Sequence, residues 1–299
     1  MLARLQQFVT LSSLLASALW LAYWWERSAF AAAAGVMAIL FGYAFFLAIE
    51  FVLMQRVNRA DPAPRASWSE VLRAWWLETT TAPAVFCWRQ PFFSQAVPDH
   101  LPDPASAGRR GVVLVHGFVC NRGFWTPWLQ RLRSDGVPFA AVSLEPVFGD
   151  IDDYVPIVEA AVQKVTQATG LPPILICHSM GGLAARAWMR THDGDTRAAH
   201  VITIGSPHNG TWMGRFGHAP SGRQMCEASD WLCMLRDAEP PARRSLFTCW
   251  YSNCDNIVFP ASTAKLEGAD NIFLPGAPHV GMAFHPRVIE HALGKIRAQ

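Results

Sequence analysis

A serine at a sharp corner of the chain is the residue best suited to chemistry in this sequence. It lies in the stretch Leu171–Arg190, which reads LPPILICHSMGGLAARAWMR. The apolar run Ile174–Cys177 has the length and β-branched content of a buried parallel strand, and Gly181-Gly182 opens an apolar helix without a linker. A direct strand-to-helix turn forces its corner residue, Ser179, into a strained conformation that holds the hydroxyl clear of the sheet. We predict that Ser179 is a nucleophile; the alternative is an ordinary serine cap of a helix.

A serine hydroxyl is a poor nucleophile without a base to take its proton. His279 follows the last predicted strand, Asn271–Leu274, and lies in the loop after it. Its rivals are His285, at the start of the terminal helix before a proline, and His291, inside that helix. Since the base is expected at the carboxyl end of a strand, we predict that His279 is the base.

The base in turn needs an acid that orients it. Asp255 follows the predicted strand Ser245–Tyr251 after a three-residue turn, at the carboxyl end of that strand. Asp270 precedes its strand and so belongs to the opposite edge of the sheet, and Glu267 is the remaining rival. We predict that Asp255 is the acid, the alternative being an ordinary turn aspartate.

Attack on a carbonyl carbon also requires two preorganised N–H donors for the oxygen that becomes negative. Met180, directly after the nucleophile, offers one. The loop after the predicted strand Val112–Val115 offers the other, because Gly117 lets the backbone bend so that the N–H of Phe118 points into the site. His116 precedes the serine in the chain, and we expect it to be structural.

The segments around these residues alternate between strand and helix from Gly111 onward, a pattern typical of a mainly parallel sheet with helices on both faces. The predicted strands are Val112–Val115, Phe139–Ser143, Ile174–Cys177, His200–Ile204, Ser245–Tyr251 and Asn271–Leu274. The predicted helices are Asn121–Ser134, Ile151–Thr169, the segment after Gly181-Gly182, and His285–Ile296.

Together these motifs resemble the bacterial triacylglycerol lipase and esterase branch of the α/β-hydrolases. The matching stretches are Val113–Phe118, Cys177–Gly182, Ile202–Thr211, Tyr251–Pro260 and Pro278–Met282, and the resemblance covers roughly Arg110 to Arg297. One residue departs from the usual pattern: Cys177 stands two positions before the serine, where glycine is usual. The resemblance implies an α/β-hydrolase fold, hydrolysis of carboxylic esters through a Ser-His-Asp triad and an acyl-enzyme, and no cofactor.

The same resemblance implies substrate contacts. We expect Pro207 and His208 to border the acyl site, and Gly117 and His178 to contribute to substrate binding. Some lipases of this family hold a structural metal, but no matching ligand cluster is evident, so we predict no metal. A thioesterase, a phospholipase or an acyltransferase would use the same parts, because the fold does not choose among them. A non-catalytic membrane scaffold that retained the fold is the alternative from another functional class.

The first 54 residues are organised differently. Phe8–Trp25 and Ser28–Ile49 are apolar runs of 18 and 22 residues without a charged side chain, each about long enough to cross the ~30 Å hydrocarbon core of a bilayer as a helix. Aromatic residues end the first run, as at a membrane interface. We predict a two-helix transmembrane hairpin over residues 1–54, with a cleaved signal peptide or a buried hairpin as alternatives.

Residues 55–109 are predicted to link this hairpin to the catalytic domain at 110–299. Arginine and proline residues mark the start of the link, and residues 98–108 read as a polar loop. Between them Trp68, Leu72, Trp75 and Trp76 share one helical face. That face could lie in the bilayer interface or pack on the catalytic domain, and the sequence leaves both open.

A cap or lid over the site is expected around residues 210–241, which lack clean periodicity. The cysteines in and after this segment, Cys226, Cys233, Cys249 and Cys254, are expected to be unpaired thiols, with disulfides as the alternative and a zinc site disfavoured by their spacing.

The number and placement of charged residues limit which binding partners and which membrane topology are expected. The formal net charge of +2 is too small to indicate nucleic-acid binding, and the 51% of hydrophobic residues favour membrane and hydrophobic ester partners. Five positive groups flank the open ends of the hairpin, namely the amino terminus, Arg4, Arg56, Arg59 and Arg65, against Arg27 alone at its turn. The positive-inside tendency then predicts a multi-pass inner-membrane protein with the catalytic domain on the cytoplasmic side. Oligomeric state is not predicted.

Overall fold

The computed structural model describes residues 1–101 and 108–298. Most of the predicted loop at 98–108 therefore lies outside the described residues. Thirteen helices are described. The strands between them in the chain form a single sheet. The helices are α1 Leu2–Trp24, α2 Ala29–Val57, α3 Trp68–Pro83, α4 Gln90–Phe93, α5 Thr126–Ser134, α6 Val155–Thr169, α7 Met180–Thr191, α8 Gly194–Arg197, α9 Pro220–Gln224, α10 Asp230–Asp237, α11 Pro241–Arg244, α12 His279–Met282 and α13 Pro286–Arg297. A π-helical segment, Ala84–Arg89, joins α3 to α4.

The sheet has six parallel strands in the order β2-β1-β3-β4-β5-β6. They are β1 Val112–Val115, β2 Phe139–Ala141, β3 Ile174–His178, β4 His200–Ile204, β5 Phe247–Tyr251 and β6 Asp270–Phe273. All residues of β1, β3 and β4 are buried, as expected for strands covered on both faces. The predicted parallel sheet with flanking helices is confirmed.

Two apolar cores lie on the two faces of this sheet. Helices α6 and α7 pack on one face with Val113, Val115 and Leu175. Helices α5 and α13 pack on the other with Leu114 and Ile176. Neighbouring residues of each strand thus point to opposite faces, and the central strands are held rigidly between two packed layers.

The N-terminal helices α1 and α2 form a hairpin whose outer surface is apolar and largely exposed. Phe8 is 69% exposed, Phe30 84% and Phe45 74%. Both helices are long and apolar enough to cross a membrane, a property that a signal sequence shares. Helix α2 continues to Val57, two turns beyond the predicted apolar run, because its last turns bury Phe51 and Met54 in a third core.

The Trp-rich helix α3 connects the hairpin to the sheet domain. Its start is fixed by a capping box in which Ser67 and Glu70 satisfy each other's backbone N–H groups. Of the four residues predicted to share a face, Trp75 packs inward and donates from Nε1 to the carbonyl of Ala44. Trp68, Leu72 and Trp76 are each at least 60% exposed, so most of this face packs on nothing within the described chain.

The segment predicted as a cap runs between β4 and β5. It consists of a 3-10 turn, Trp212–Phe216, and the helices α9, α10 and α11. A fully buried ion pair between Arg186 of α7 and Glu239 joins it to the sheet domain through two 2.7 Å hydrogen bonds. The seven cysteines of the chain, including Cys226 and Cys233 in this segment and Cys249 and Cys254 after it, are free thiols in the structure. Movement of this segment as a lid stays a prediction.

Candidate active site

Ser179 occupies the corner between β3 and α7. Its backbone angles are φ 54° and ψ −129°, a strained combination for a residue with a side chain, and its N–H is held by the carbonyl of Ile204. A Cβ on Gly181 would come within 2.4 Å of the carbonyl oxygen of Val115, and one on Gly182 within 2.3 Å of Ser206 Oγ. The two glycines are therefore required for helix and strand to approach closely at this turn.

Asp255 and His279 form a buried pair at the same edge of the sheet. The imidazole Nδ1 lies 3.0 Å from Asp255 Oδ2 and 2.9 Å from Oδ1. Oδ1 also accepts from the backbone N–H groups of Ile257 and Val258 at 3.0 and 2.8 Å, so the carboxylate is fixed in orientation. His279 was predicted in a loop, but it is the first residue of the short helix α12.

Charge at this pair favours a protonated imidazole. Burial opposes the charge on His279, but the neighbouring carboxylates, with Asp255 and its hydrogen bond first among them, together outweigh burial, so the pKa of His279 is raised above its ordinary value. Glu78 and Glu50, two carboxylates from the N-terminal helices, act in the same direction. An imidazole oriented by a buried carboxylate can accept a proton from a hydroxyl and stabilise the charge it acquires.

His178, the residue before Ser179, packs against His279. Its Nε2 is 3.1 Å from the backbone carbonyl of His279, and the two ring centroids are 4.6 Å apart. The other face of the His178 ring stacks on Phe124, at 4.5 Å. The structure thus places the His178 ring between His279 and Phe124, and its predicted contribution to substrate binding stays a prediction. Among the described residues, Ser179 Oγ and His279 Nε2 do not form a hydrogen bond with each other. Such bonds are often long before substrate binds.

The loop after β1 reaches the serine. A Cβ on Gly117 would lie 2.7 Å from Ser179 Cβ and 3.3 Å from its Oγ, so only glycine fits here. His116 accepts from the N–H of Leu144 through Nε2 at 3.0 Å, which leaves Nδ1 as the donor to Gly117 O at 2.8 Å. Burial lowers the pKa of His116 to about 4, so this ring is neutral and structural, as expected.

That hydrogen bond also orients the next peptide group. In a trans peptide the carbonyl and the N–H point in opposite directions, so fixing Gly117 O on His116 turns the N–H of Phe118 away from His116. Within residues 1–101 and 108–298, neither this N–H nor that of Met180 has a hydrogen-bond acceptor. Two free donors thus flank the serine on different segments, an arrangement able to hold an oxyanion.

Pro207 and His208 lie in a buried turn after β4. The carbonyl of Pro207 accepts from Gly210 N–H at 2.9 Å. The ring of His208 lies in the interior, with Nε2 2.9 Å from Thr203 Oγ1 and 3.5 Å from Cys249 Sγ. Burial lowers the pKa of His208 well below its ordinary value. The structure therefore brings His208 to the sheet and not to the Asp255–His279 pair.

Other polar residues at the site were not anticipated from the sequence: Glu50 of α2, Glu78 of α3, and Asn256 beside the acid. A signal was present for Glu50, which is the single acidic residue within the long apolar helix α2. Glu78 gave a weaker signal, as a carboxylate in a Trp-rich helix. Among the described residues no group of three or more His, Cys, Asp or Glu side chains is arranged to hold a metal ion.

Comparison with known proteins identifies the fold. Residues 112–249 match the protein-family model of the Alpha/beta hydrolase family. The mature form of the lipase BlEst2 from Bacillus licheniformis is similar with a TM-score of 0.57 and 18% identity, over 67% of this chain and 95% of that one. Lipase B from Aspergillus fumigatus is similar with a TM-score of 0.58 and 19% identity, over 68% of this chain and 57% of that one. The predicted α/β-hydrolase fold is confirmed, and at these identities the structural likeness concerns the fold alone.

Proposed function

We propose that this chain is a membrane-anchored serine hydrolase that cleaves carboxylic esters of lipid or other hydrophobic acyl substrates. The observation that carries the proposal is the hydrogen-bonded pair of Asp255 and His279 beside a serine in a strained strand-to-helix corner. The family match and the lipases among its structural neighbours support ester hydrolysis as the reaction.

The proposed reaction has two halves. Ser179 Oγ attacks the ester carbonyl while His279 takes its proton, and Asp255 holds the imidazole and balances its charge. The N–H groups of Phe118 and Met180 stabilise the oxyanion, which collapses as His279 protonates the departing alcohol. Water then attacks the acyl-enzyme with His279 as base, and the carboxylic acid leaves.

A fluorophosphonate probe tests the nucleophile directly, because it reacts covalently with activated serines. The detergent-solubilised full-length protein should be labelled at Ser179 and should hydrolyse p-nitrophenyl esters. The variant Ser179→Ala should lose both, keeping at most the small rate that the oxyanion donors and binding supply. Turnover by Ser179→Ala at near the parent rate would refute the proposal, and an unlabelled, inactive parent would favour a non-catalytic scaffold.

The substrate class follows from what lies around the site. The ring of Phe118 packs edge-to-face on Phe148 at 5.7 Å, and Phe148 is 46% exposed, so an aromatic surface adjoins the proposed oxyanion loop. The apolar hairpin would also keep the site beside lipid. We expect octanoyl and longer p-nitrophenyl esters to be turned over with higher kcat/KM than the acetyl ester. A sharp preference for acetyl would contradict a lipid substrate.

The membrane side is proposed from charge and from contacts of the hairpin. The amino group of Met1 lies 3.0 Å from Glu145 Oε1, and the last turns of α2 pack on the hydrolase domain. Both open ends of the hairpin thus meet the same domain, which supports one side for both termini. With five positive groups there against one at the turn, we propose the cytoplasmic side. Alkaline phosphatase fused after Gln299 should stay inactive and a fluorescent protein should fluoresce; the opposite result would reverse the topology.

A further inference from the structure

A carboxylate from outside the sheet domain holds the backbone that carries the base. Glu78 of α3 is 2% exposed. Its Oε1 accepts from the N–H of Val280 at 2.9 Å, and its Oε2 accepts from the N–H of Gly281 at 3.0 Å. These are the two residues directly after His279. One side chain thus satisfies two N–H groups at the start of α12, which have no partner within so short a helix.

A second carboxylate reaches the same backbone through one intermediate. Asn256, the neighbour of Asp255, accepts from the N–H of His279 at 3.3 Å through Oδ1. Its Nδ2 donates to Glu50 Oε2 of α2 at 2.7 Å. The N–H groups of three consecutive residues, 279 to 281, are therefore held directly or indirectly by the N-terminal helices.

Packing alone does not account for Glu78. Burying a carboxylate is costly, and an apolar side chain of similar size would fill the same space at lower cost. Burial raises the pKa of Glu78 to about 7, against the effect of its two backbone hydrogen bonds and of His279. A group kept at such a cost beside a reacting imidazole points to a role in the site.

We propose that Glu78 is a positioning residue of the catalytic centre: by clamping the N–H groups of Val280 and Gly281 it fixes the start of α12 and so the direction of the His279 ring. Helix α3 then belongs to the catalytic unit and is not a replaceable linker. This inference rests on the proposed serine hydrolase function.

The variant Glu78→Gln tests it with nearly unchanged volume. The amide keeps one acceptor oxygen but turns a donor toward the second N–H, so one clamp is lost. At about pH 8.5, above the pKa of Glu78, we expect kcat to fall roughly 10- to 100-fold, since misplacing a reacting group by about 1 Å has an effect of this size. KM should change little, because Glu78 does not face substrate.

A pH profile adds a readout that a purely structural role would not move. The groups facing the His279 ring are His178 of β3, Asp255 after β5, Glu50 of α2 and Glu78 of α3. Negative charge on Glu78 raises the pKa of His279, so removing that charge should lower it. The acid limb of kcat/KM should therefore move to lower pH in Glu78→Gln.

Glu70→Gln is the matched control, because it makes the same change on the same helix and glutamine can still serve the capping box. It should keep the parent kcat and pH profile. A parent kcat and a parent pH profile in Glu78→Gln would overturn the inference.

If Glu78→Gln fails to fold, Glu78→Asp keeps the charge but shortens the reach of the side chain. A lowered kcat with an unmoved acid limb supports positioning, and an unchanged kcat overturns it. A parent protein that the fluorophosphonate leaves unlabelled would defeat the proposed function instead.

Discussion

The two halves of the candidate site are built in different ways. The nucleophile side comes from one continuous stretch, β3, Ser179 and α7, whose geometry follows from small residues at a tight turn. The base side is assembled from four segments, which supply Glu50, Glu78, Asp255 with Asn256, and His279; Glu50 and Asn256 are 206 residues apart. A local turn can form as soon as its strand and helix do, whereas the base side requires the N-terminal helices to dock.

The largest expected effect is a loss of activity when the proposed base is removed. His279→Ala should lower kcat/KM for p-nitrophenyl esters by about 10³-fold or more, because the serine then has no proton acceptor. His285→Ala and His291→Ala are the controls. His285 caps α13 by accepting from the N–H of Arg287, and His291 packs edge-on against Trp250. A comparable loss in His285→Ala would move the base to that residue.

The next largest effect concerns stability on the nucleophile side. Arg186 of the elbow helix α7 and Glu239 are 1% and 0% exposed, so Glu239→Gln leaves a buried guanidinium without its counter-charge. We expect a loss of about 3–5 kcal/mol in the free energy of unfolding, measured in denaturant. The double variant Arg186→Met, Glu239→Leu should recover most of it, because it removes both charges. Equal losses in the single and double variants would contradict this account.

A smaller effect tests the elbow packing. The Cβ added by Gly182→Ala would lie 2.3 Å from Ser206 Oγ and 2.7 Å from Ser206 Cβ, so α7 must shift and we expect a loss of about 1–3 kcal/mol of stability. Gly294→Ala in α13 is the matched control, since nothing lies within 4 Å of its added Cβ. It should stabilise the protein by up to about 1 kcal/mol through helix propensity. Thermal unfolding of both variants checks the contrast.

The smallest effect on stability is expected in α3, for a residue outside both halves of the candidate site. Trp76 is 62% exposed, so Trp76→Ser should change the free energy of unfolding by less than about 0.5 kcal/mol. If the exposed face of α3 lies at the bilayer surface, however, brominated lipids should quench less of the tryptophan fluorescence in this variant than in the parent. Undiminished quenching after replacing Trp68 and Trp76 together would place that face away from lipid.

Much of the fold could be predicted because its signals are local or periodic. The strands Val112–Val115 and His200–Ile204 have the predicted bounds, and β3 is one residue longer than predicted. Strand β2 ends two residues early, at Ala141, and the predicted helices at 121 and 151 each begin with a 3-10 turn. These differences lie at element ends, where hydrophobic periodicity carries little information.

The sequence by itself determined the elbow and the pairing of Asp255 with His279. The serine corner needs glycines at 181 and 182 for steric reasons, and parallel strands deliver Asp255 and His279 to one edge of the sheet. Only the tertiary structure decided the rest: that His208 turns inward, that His178 supports the base, and that Glu50 and Glu78 hold its backbone. The physical reason is that a buried polar group is defined by its partner. For Glu50 and Glu78 that partner lies about 200 residues away, so nothing in the neighbouring sequence reveals it.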